Sequence, residues 1–294
     1  MKIAAIINPI SGAGAGEDQA ARRIAALTGQ LDRRGLRAAI AITTHGGHAR
    51  ELAAAAAHDR VDLVIVWGGD GTVNEVGGAL IGTDTAIGLV PAGSGNGLAA
   101  SLGVPRESGA AISRALEGRR RTIDVGIIND RHFFNIAGIG VDARIAKRFN
   151  ERAKGKRGAW PYFVIGIREG CTYCSQEYDV ELDGDARQIR ALLVAFANGR
   201  EYGSGARLAA QASLDDGFLD AVVVEDRSVL ARFWHARHLA SGMPSLAPRV
   251  TAQRVRRATV RARGIIEYHV DGEIGAAEDE VNVSIRPGAL RVAG

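Results

Sequence analysis

The stretch DLVIVWGGDGTVNEV, residues 62–76, decides how this chain reads. Leu63 to Trp67 is a short, continuous apolar run, the pattern of a strand buried on both faces. The run stops at Gly68-Gly69 and places one carboxylate, Asp70, among glycines. At Thr72 it passes into a segment whose spacing predicts a helix over 72–81. A glycine turn between a strand and a helix N-terminus suits phosphate, because backbone N–H groups can approach an anion there. A negative charge at its centre therefore needs a reason.

Outward from this stretch, strand and helix patterns alternate through the first 120 residues. KIAAIIN, LRAAIAITT and AIGLV (86–90) read as strands; residues 17–31, GHARELAAAAA and two pieces ending at Gly118 read as helices. Continuous apolar strands separated by helices imply a parallel sheet covered on both faces. Ligands of such sheets sit beyond the carboxyl ends of the strands, where the glycine turns fall. Near residue 122 the pattern changes. TIDVGIIND and RHFFNIAGIG read as paired strands, 141–174 as helical, and YDVELDG, RALLVAFANG, FLDAVVVE, RATVRA, IIEYHVDGE and EVNVSI as short strands. The fold class is thus α/β plus β. An α/β domain spans 1–122, and a mainly antiparallel β domain, read as a sandwich, spans 123–286. The tail, about 287–294, is open to packing back on the first domain.

Composition is that of an ordinary soluble protein: 294 residues, 46% hydrophobic and 24% charged. No signal peptide precedes the first strand, and no apolar run reaches the roughly 18–20 residues that span a bilayer. The two cysteines form CTYC (Cys171, Cys174), too few for a disulfide framework or a zinc site, so a cytoplasmic protein with two buried thiols is expected. Formal charge is only +4, but it is unevenly spread. KRFNERAKGKRG (147–158) is basic, and from Arg227 to Arg263 there is no acid while Arg232, Arg237, Arg249, Arg254, Arg256, Arg257 and Arg261 accumulate. Such runs suit an anionic membrane surface, with Phe233 and Trp234 nearby, or a solvated face. The aromatic residues do not form an RNA-stacking pattern, so nucleic acid is not an expected partner.

The glycine turns exclude more than they establish. INPISGAGAGE (7–17) has Gly12 and Gly14, but Glu17 stands where a dinucleotide fingerprint needs its third glycine. Between Lys2 and Lys147 there is no lysine, so neither a Walker A lysine nor the strand lysine of protein kinases is available. A bound triphosphate would need backbone N–H groups, hydroxyls, arginines and Mg²⁺, and Mg²⁺ needs oxygen ligands. Asp70 would supply one, directly or through water, while Gly68, Gly69 and Gly71 let the backbone approach. PAGSGNG, one strand later, adds a second phosphate-facing turn with Ser94 and Asn96.

NPISG, GGDGTVNEV, PAGSGNGLAASLGVP, TIDVG, GIGVDA, DDGFLD and DGE occur in that order, from about residue 3 to 290. Together they resemble the diacylglycerol kinase catalytic-domain family of bacterial lipid kinases, relatives of sphingosine and ceramide kinases. GGDGT alone is shared with NAD kinases and, more loosely, phosphofructokinases. The resemblance implies a three-layer, NAD kinase-like α/β domain and a β-rich second domain, with ATP in the cleft between them. It places Asn8, Ser11, Gly12, Gly68, Gly69, Asp70, Gly71, Thr72 and Glu75 at the nucleotide, with Gly93, Ser94, Gly95 and Asn96 of the second turn and Thr44 near the adenine. Asp70 and Asp124 would belong to the magnesium network. Asp271 and Glu273 would reach the reacting phosphoryl group, two residues apart on a strand and so on one side. Glu273 would take the lipid hydroxyl proton and Asp271 would position it. The bland reading is two carboxylates on an exposed β-turn. SLDDGFLD (213–220) implies a structural Mg²⁺ on Asp216 with the Ser213 and Phe218 carbonyls, although Asp-Asp-Gly is equally a plain β-turn.

Gly97 departs from the pattern, standing where many relatives carry an acid. The leading expectation is an ATP- and Mg²⁺-dependent lipid kinase of phospholipid metabolism, cytoplasmic and peripheral at the inner face of the membrane. Its acceptor would be a hydroxyl of diacylglycerol or a related lipid. The alternatives are an NAD kinase-type enzyme with a soluble substrate, and a catalytically weak lipid- or nucleotide-binding module. A homodimer is left open.

Overall fold

The computed structural model describes residues 1–12, 17–151, 173–202, 206–226 and 250–294. It divides into two compact units, Met1–Ile123 with Gly288–Gly294, and Asp124–Pro287.

The first unit runs β1 (Ile3–Ile7), α1 (Glu17–Asp32), β2 (Ala38–Ile42), α2 (His48–His58), β3 (Leu63–Gly68), α3 (Asp70–Leu80), β4 (Ala86–Pro91), α4 (Gly97–Ser101) and α5 (Ser108–Glu117). β1 pairs in parallel with β2 and β3, and β3 in parallel with β4. At the other edge of β4, Val292 and Ala293 pair in parallel with Ile87 and Gly88. The four residues Leu63–Val66 are wholly buried, as a strand covered on both faces demands. Helix α5 lies close to β4 because Gly88 has no side chain: a Cβ there would stand 2.7 Å from that of Ala115. Glu107 starts α5, its carboxylate accepting the Gly109 and Ala110 N–H groups. The sheet order β2-β1-β3-β4 reverses direction between β1 and β3, the place where such sheets hold ligands.

The second unit continues with β5 (Arg120–Ile128), which begins in the first, then β6 (Arg131–Phe133), β7 (Ile136–Gly140), α6 (Val141–Glu151), β8 (Gln176–Leu182), β9 (Asp185–Ala197), β10 (Glu201–Tyr202), β11 (Ala206–Arg207), β12 (Leu219–Glu225), β13 (Val250–Val255), β14 (Arg257–Val270) and β15 (Glu273–Ala293). Among the described residues its strands pair antiparallel. The long strands β9 and β14 change partners along their length. β8 pairs with one end of each and β7 with the other, which draws the strands around a common core. β14 makes its change at a bulge between Arg261 and Ile265, where Gly264 has φ +86° and donates to Asp279. Bulges let a strand bend in this way. Tyr178, Phe133, Phe196, Val194 and Val281 are among the side chains that fill the core.

Several expectations are corrected. Helix α3 begins at Asp70 rather than Thr72. RHFFNIAGIG is two strands, and its second half pairs with β9 and β14 rather than with β5. RATVRA and IIEYHV are one strand interrupted by the bulge. The helix expected over 141–174 is described only as far as Glu151; residues 173–175 are not helical, and Cys174 is exposed rather than buried. Cys171, residues 152–158 of the first basic run and residues 227–249 of the second lie outside the described residues. β13, within the arginine-rich stretch, was not anticipated.

Candidate active site

In the first unit the three turns that leave β1, β3 and β4 meet. Asn8 Nδ2 donates to Thr72 Oγ1 at 2.8 Å, and the Gly69 N–H donates to Ser11 Oγ at 3.3 Å. Asn96, in the left-handed region at φ 55°, closes its own turn by accepting from Gly93 N–H and donating to the Gly93 carbonyl. Asp70 joins the turns together: Oδ2 accepts the Asn96 N–H at 2.7 Å and Oδ1 the Gly97 N–H at 2.8 Å. Here is the physical reason for its charge. An ionised carboxylate at the start of α3 satisfies the N–H groups that open α4 and lies at a helix N-terminus.

The glycines serve the same packing. A Cβ on Gly93 would lie 2.8 Å from the Gly69 Cα, and one on Gly95 2.7 Å from Asp70 Oδ2. A Cβ on Gly68 would strike Thr72 at 2.6 Å, and Gly12, at φ +86°, abuts the Ala92 carbonyl. Sequence spacing suggested backbone approach to a phosphate; the observed approach is of turn to turn. Ser94 is exposed at the tip, and Gly71 lies in the first turn of α3. Thr44 is exposed beyond β2, its N–H and hydroxyl on His48 Nδ1 at 3.1 and 3.0 Å, and Glu75 accepts the Gly47 N–H.

Arg23 was not anticipated. Its guanidinium reaches under the first turn, donating to the Asn8 carbonyl and, at 2.6 Å, to that of Ser11, with the Trp67 ring 5.7 Å away. Burial pushes its pKa down. Arg22 and Arg23 are adjacent arginines on α1, and nothing local in the sequence distinguished one from the other.

In the second unit, Asp271 and Gly272 are the two central residues of the β14–β15 hairpin, both at positive φ (48° and 90°), with Val270 paired to Glu273. Asp-Gly is the natural dipeptide for that turn. The expectation that Asp271 and Glu273 share one face of a strand is therefore wrong, because the turn separates them. Asp271 folds back instead: Oδ2 accepts the Phe134 N–H at 2.8 Å and Oδ1 those of Asn135 and Ile136 at 3.0 Å each. These bonds explain why β6 and β7 are separate strands. Glu273 is exposed and pairs with Arg131 at 3.2 Å, while Arg131 also donates to the Ile274 carbonyl at 2.8 Å.

Asp124 is buried and belongs by its bonds to the 213–217 turn. Its N–H donates to the Leu214 carbonyl at 2.6 Å, and Oδ2 accepts the Gly217 N–H at 2.7 Å. Asp216 Oδ1 accepts the Phe218 N–H, whereas Oδ2 is buried without a hydrogen-bond partner, the Arg254 guanidinium standing at 3.5 Å. A buried carboxylate oxygen in this state fits a cation held by one carboxylate and nearby carbonyls. Among the described residues no three His, Cys, Asp or Glu side chains gather into a metal cluster. Burial raises the pKa of neighbouring Asp220; the Arg254 charge opposes this and the Asp216 charge adds to it.

Two further buried polar groups escaped the sequence reading. Asn198 donates to the carbonyls of Asp124 and Phe134, both at 2.9 Å, linking the 213–217 turn to the segment held by Asp271. His269 and Asp142 form a buried pair, Nε2 to Oδ2 at 2.6 Å. Burial alone lowers the His269 pKa, but the Asp142 charge and hydrogen bond, with Asp271 adding, outweigh it and the net direction is upward.

Residues 2–128 match the model of the diacylglycerol kinase catalytic domain, and residues 135–294 that of the YegS C-terminal NAD kinase beta sandwich-like domain. A protein of Chromohalobacter salexigens described as a probable lipid kinase YegS-like is 30% identical over 90% of this chain and 86% of its own. The probable lipid kinase YegS of Salmonella typhimurium is 29% identical over 87% of this chain and 86% of its own. The crystal structure of a diacylglycerol kinase from Bacillus anthracis str. Sterne superposes with a TM-score of 0.77 at 21% identity, covering 99% of this chain and 96% of that one. An NAD kinase from Archaeoglobus fulgidus in complex with ATP gives 0.56 at 13% identity, over 99% and 93%. With the glycine turns joined by Asp70 in one unit and the β-rich fold in the other, the chain belongs to the YegS-like lipid kinase family, built from a diacylglycerol kinase catalytic domain and a NAD kinase beta sandwich-like domain.

Proposed function

We propose that the protein transfers the γ-phosphoryl group of ATP to a hydroxyl of diacylglycerol or a related lipid. The observation that carries the proposal is the convergence of three glycine turns at the carboxyl ends of β1, β3 and β4, with Asp70 between them, in a stretch that has no lysine between Lys2 and Lys147. In this reading Asn8, Ser11, Thr72 and the 93–96 turn hold the phosphates through N–H and hydroxyl groups, and Thr44 with Glu75 lies toward the base. Mg²⁺, when bound, neutralises phosphate charge; Asp70 would share with it oxygens that also serve Asn96 and Gly97. The lipid oxygen forms the new bond to the γ-phosphorus, the bond to the bridging oxygen of ADP breaks, and the hydroxyl proton passes to Glu273. Arg131, paired with Glu273 at 3.2 Å, orients it for that task. Asp271 supports it through the turn. A second ion on Asp216 with the Ser213 and Phe218 carbonyls would be structural, and Asp124 orders that turn. The basic runs bring the protein to an anionic membrane face.

The test is a radiolabelled-ATP assay with Mg²⁺ and mixed micelles carrying diacylglycerol, monoacylglycerol, sphingosine or phosphatidylglycerol separately, with NAD in a lipid-free arm. Label in one lipid, lost in Asp70→Ala, is expected. Label in NAD alone would move the reading to a soluble substrate, and ATP binding without any label would reduce it to a binding module. Anionic vesicles should bind the protein at low salt and release it at high salt.

A further inference from the structure

The His269–Asp142 pair lies directly beneath the hairpin turn and has no part in the reading above. Both side chains are buried, at 3% and 1% exposure. Burying an ionisable pair carries a desolvation cost, and an apolar pair of similar volume is often as stable, so stability alone is a weak reason for it. Its geometry suggests another. The Gly272 N–H donates to His269 Nδ1 at 3.3 Å while Nε2 meets Asp142 Oδ2. In the neutral ring Nδ1 accepts, so the ring hydrogen belongs on Nε2 and is given to Asp142, a tautomer assigned from its partners; protonation of Nδ1 strengthens the pairing with Asp142 but gives up the Gly272 bond. Asp142, in the first turn of α6, therefore sets which nitrogen faces the turn. Gly138 makes the room: a Cβ there would lie 2.1 Å from Asp142 Oδ2 and 2.8 Å from His269 Nε2.

The turn is thus gripped at both central residues. Asp271 is held by the N–H groups of residues 134–136, and Gly272 by His269. Glu273 follows at once. We infer that His269 and Asp142 are positioning residues that lock the Asp271-Gly272 turn and thereby aim the Glu273 carboxylate; the inference rests on the reading of Glu273 as proton acceptor. A loosened turn leaves nucleotide binding intact but spreads Glu273 over several orientations, which lowers turnover rather than affinity.

Asp142→Asn and His269→Gln should each raise amide exchange at Gly272 at least tenfold. Each should lower kcat about tenfold with KM for ATP unchanged, and the double variant should be no slower than either single one, because the pair acts as a unit. Faster exchange with kcat within twofold would make the pair merely structural and overturn the inference, as would unchanged exchange. Should the variants fail to fold, histidine ¹⁵N shifts of the unaltered protein, taken at a pH above the His269 titration, decide: a neutral ring with its hydrogen on Nε2 supports the lock, and one with its hydrogen on Nδ1 overturns it. Glu273→Gln separates the two readings. Full turnover in that variant would bring down the proton-acceptor role, while Gly272 exchange in Asp142→Asn would still decide the lock.

Discussion

Asp70 and Asp271 do similar work in the two units, and the difference between them is instructive. Each carboxylate accepts backbone N–H groups from a turn far away in sequence, two for Asp70 and three for Asp271. Asp70 opens a helix and joins two glycine turns whose backbones approach closely, so a Cβ on Gly93 or Gly95 would collide. Asp271 sits in a left-handed hairpin position and separates β6 from β7. A carboxylate has about four lone-pair sites, and three backbone bonds leave Asp271 little scope beyond architecture. Asp70, at a helix N-terminus among surface turns, combines architecture with its place in the proposed phosphate site. Glu273, exposed and paired with Arg131, stands at the opposite extreme.

The comparison can be broken by substitution, taken in order of expected effect on stability. Asp271→Asn sets an NH₂ donor against the Phe134 N–H and leaves one neutral oxygen to accept from both Asn135 and Ile136. It should cost the second unit about 3 kcal/mol in denaturant unfolding and abolish turnover with it. A loss below about 1 kcal/mol would mean that the 134–136 segment holds itself. Asp70→Asn offends only one of two N–H groups and should cost about 1–2 kcal/mol. Its turnover should fall on the order of 100-fold, more than that stability loss explains; turnover that merely tracked the folded fraction would reduce Asp70 to a clamp like Asp271.

The pH arm sharpens the comparison further. The folded pKa of His269 is raised above its ordinary value, so its pairing with Asp142 stabilises the protein fully below about pH 6.5. That contribution fades as pH rises through the folded value. The thermal midpoint of the unaltered protein should therefore fall relative to His269→Gln as pH increases, and parallel curves would refute the linkage. Glu273→Gln has the smallest expected effect on stability, within about 0.5 kcal/mol, because its exposed arginine pair contributes little. Its turnover should nevertheless drop on the order of 100-fold or more. This separation of stability from rate marks a group that acts on substrate rather than on the fold.

The features legible in the linear chain are local ones. The continuous apolar strands, the alternation with helices, the glycine turns at strand ends and the missing lysines all lie within short windows, where period and composition report directly. The same windows mark the residues that gather around Asp70. What they cannot carry is the choice of hydrogen-bond partner across long separations. Asp70 meets Gly97 across 27 residues, Asp271 meets Phe134 across 137, and His269 meets Asp142 across 127. No periodicity links such positions. The hairpin was misread because DGE looks the same on a strand as in a turn until the left-handed backbone of Asp271 and Gly272 is known. The glycines likewise looked like openings for phosphate, and packing showed how closely turn meets turn. Local sequence therefore determined the elements and the chemistry they carry, while burial and long-range pairing determined which carboxylates brace the fold and which one stands exposed.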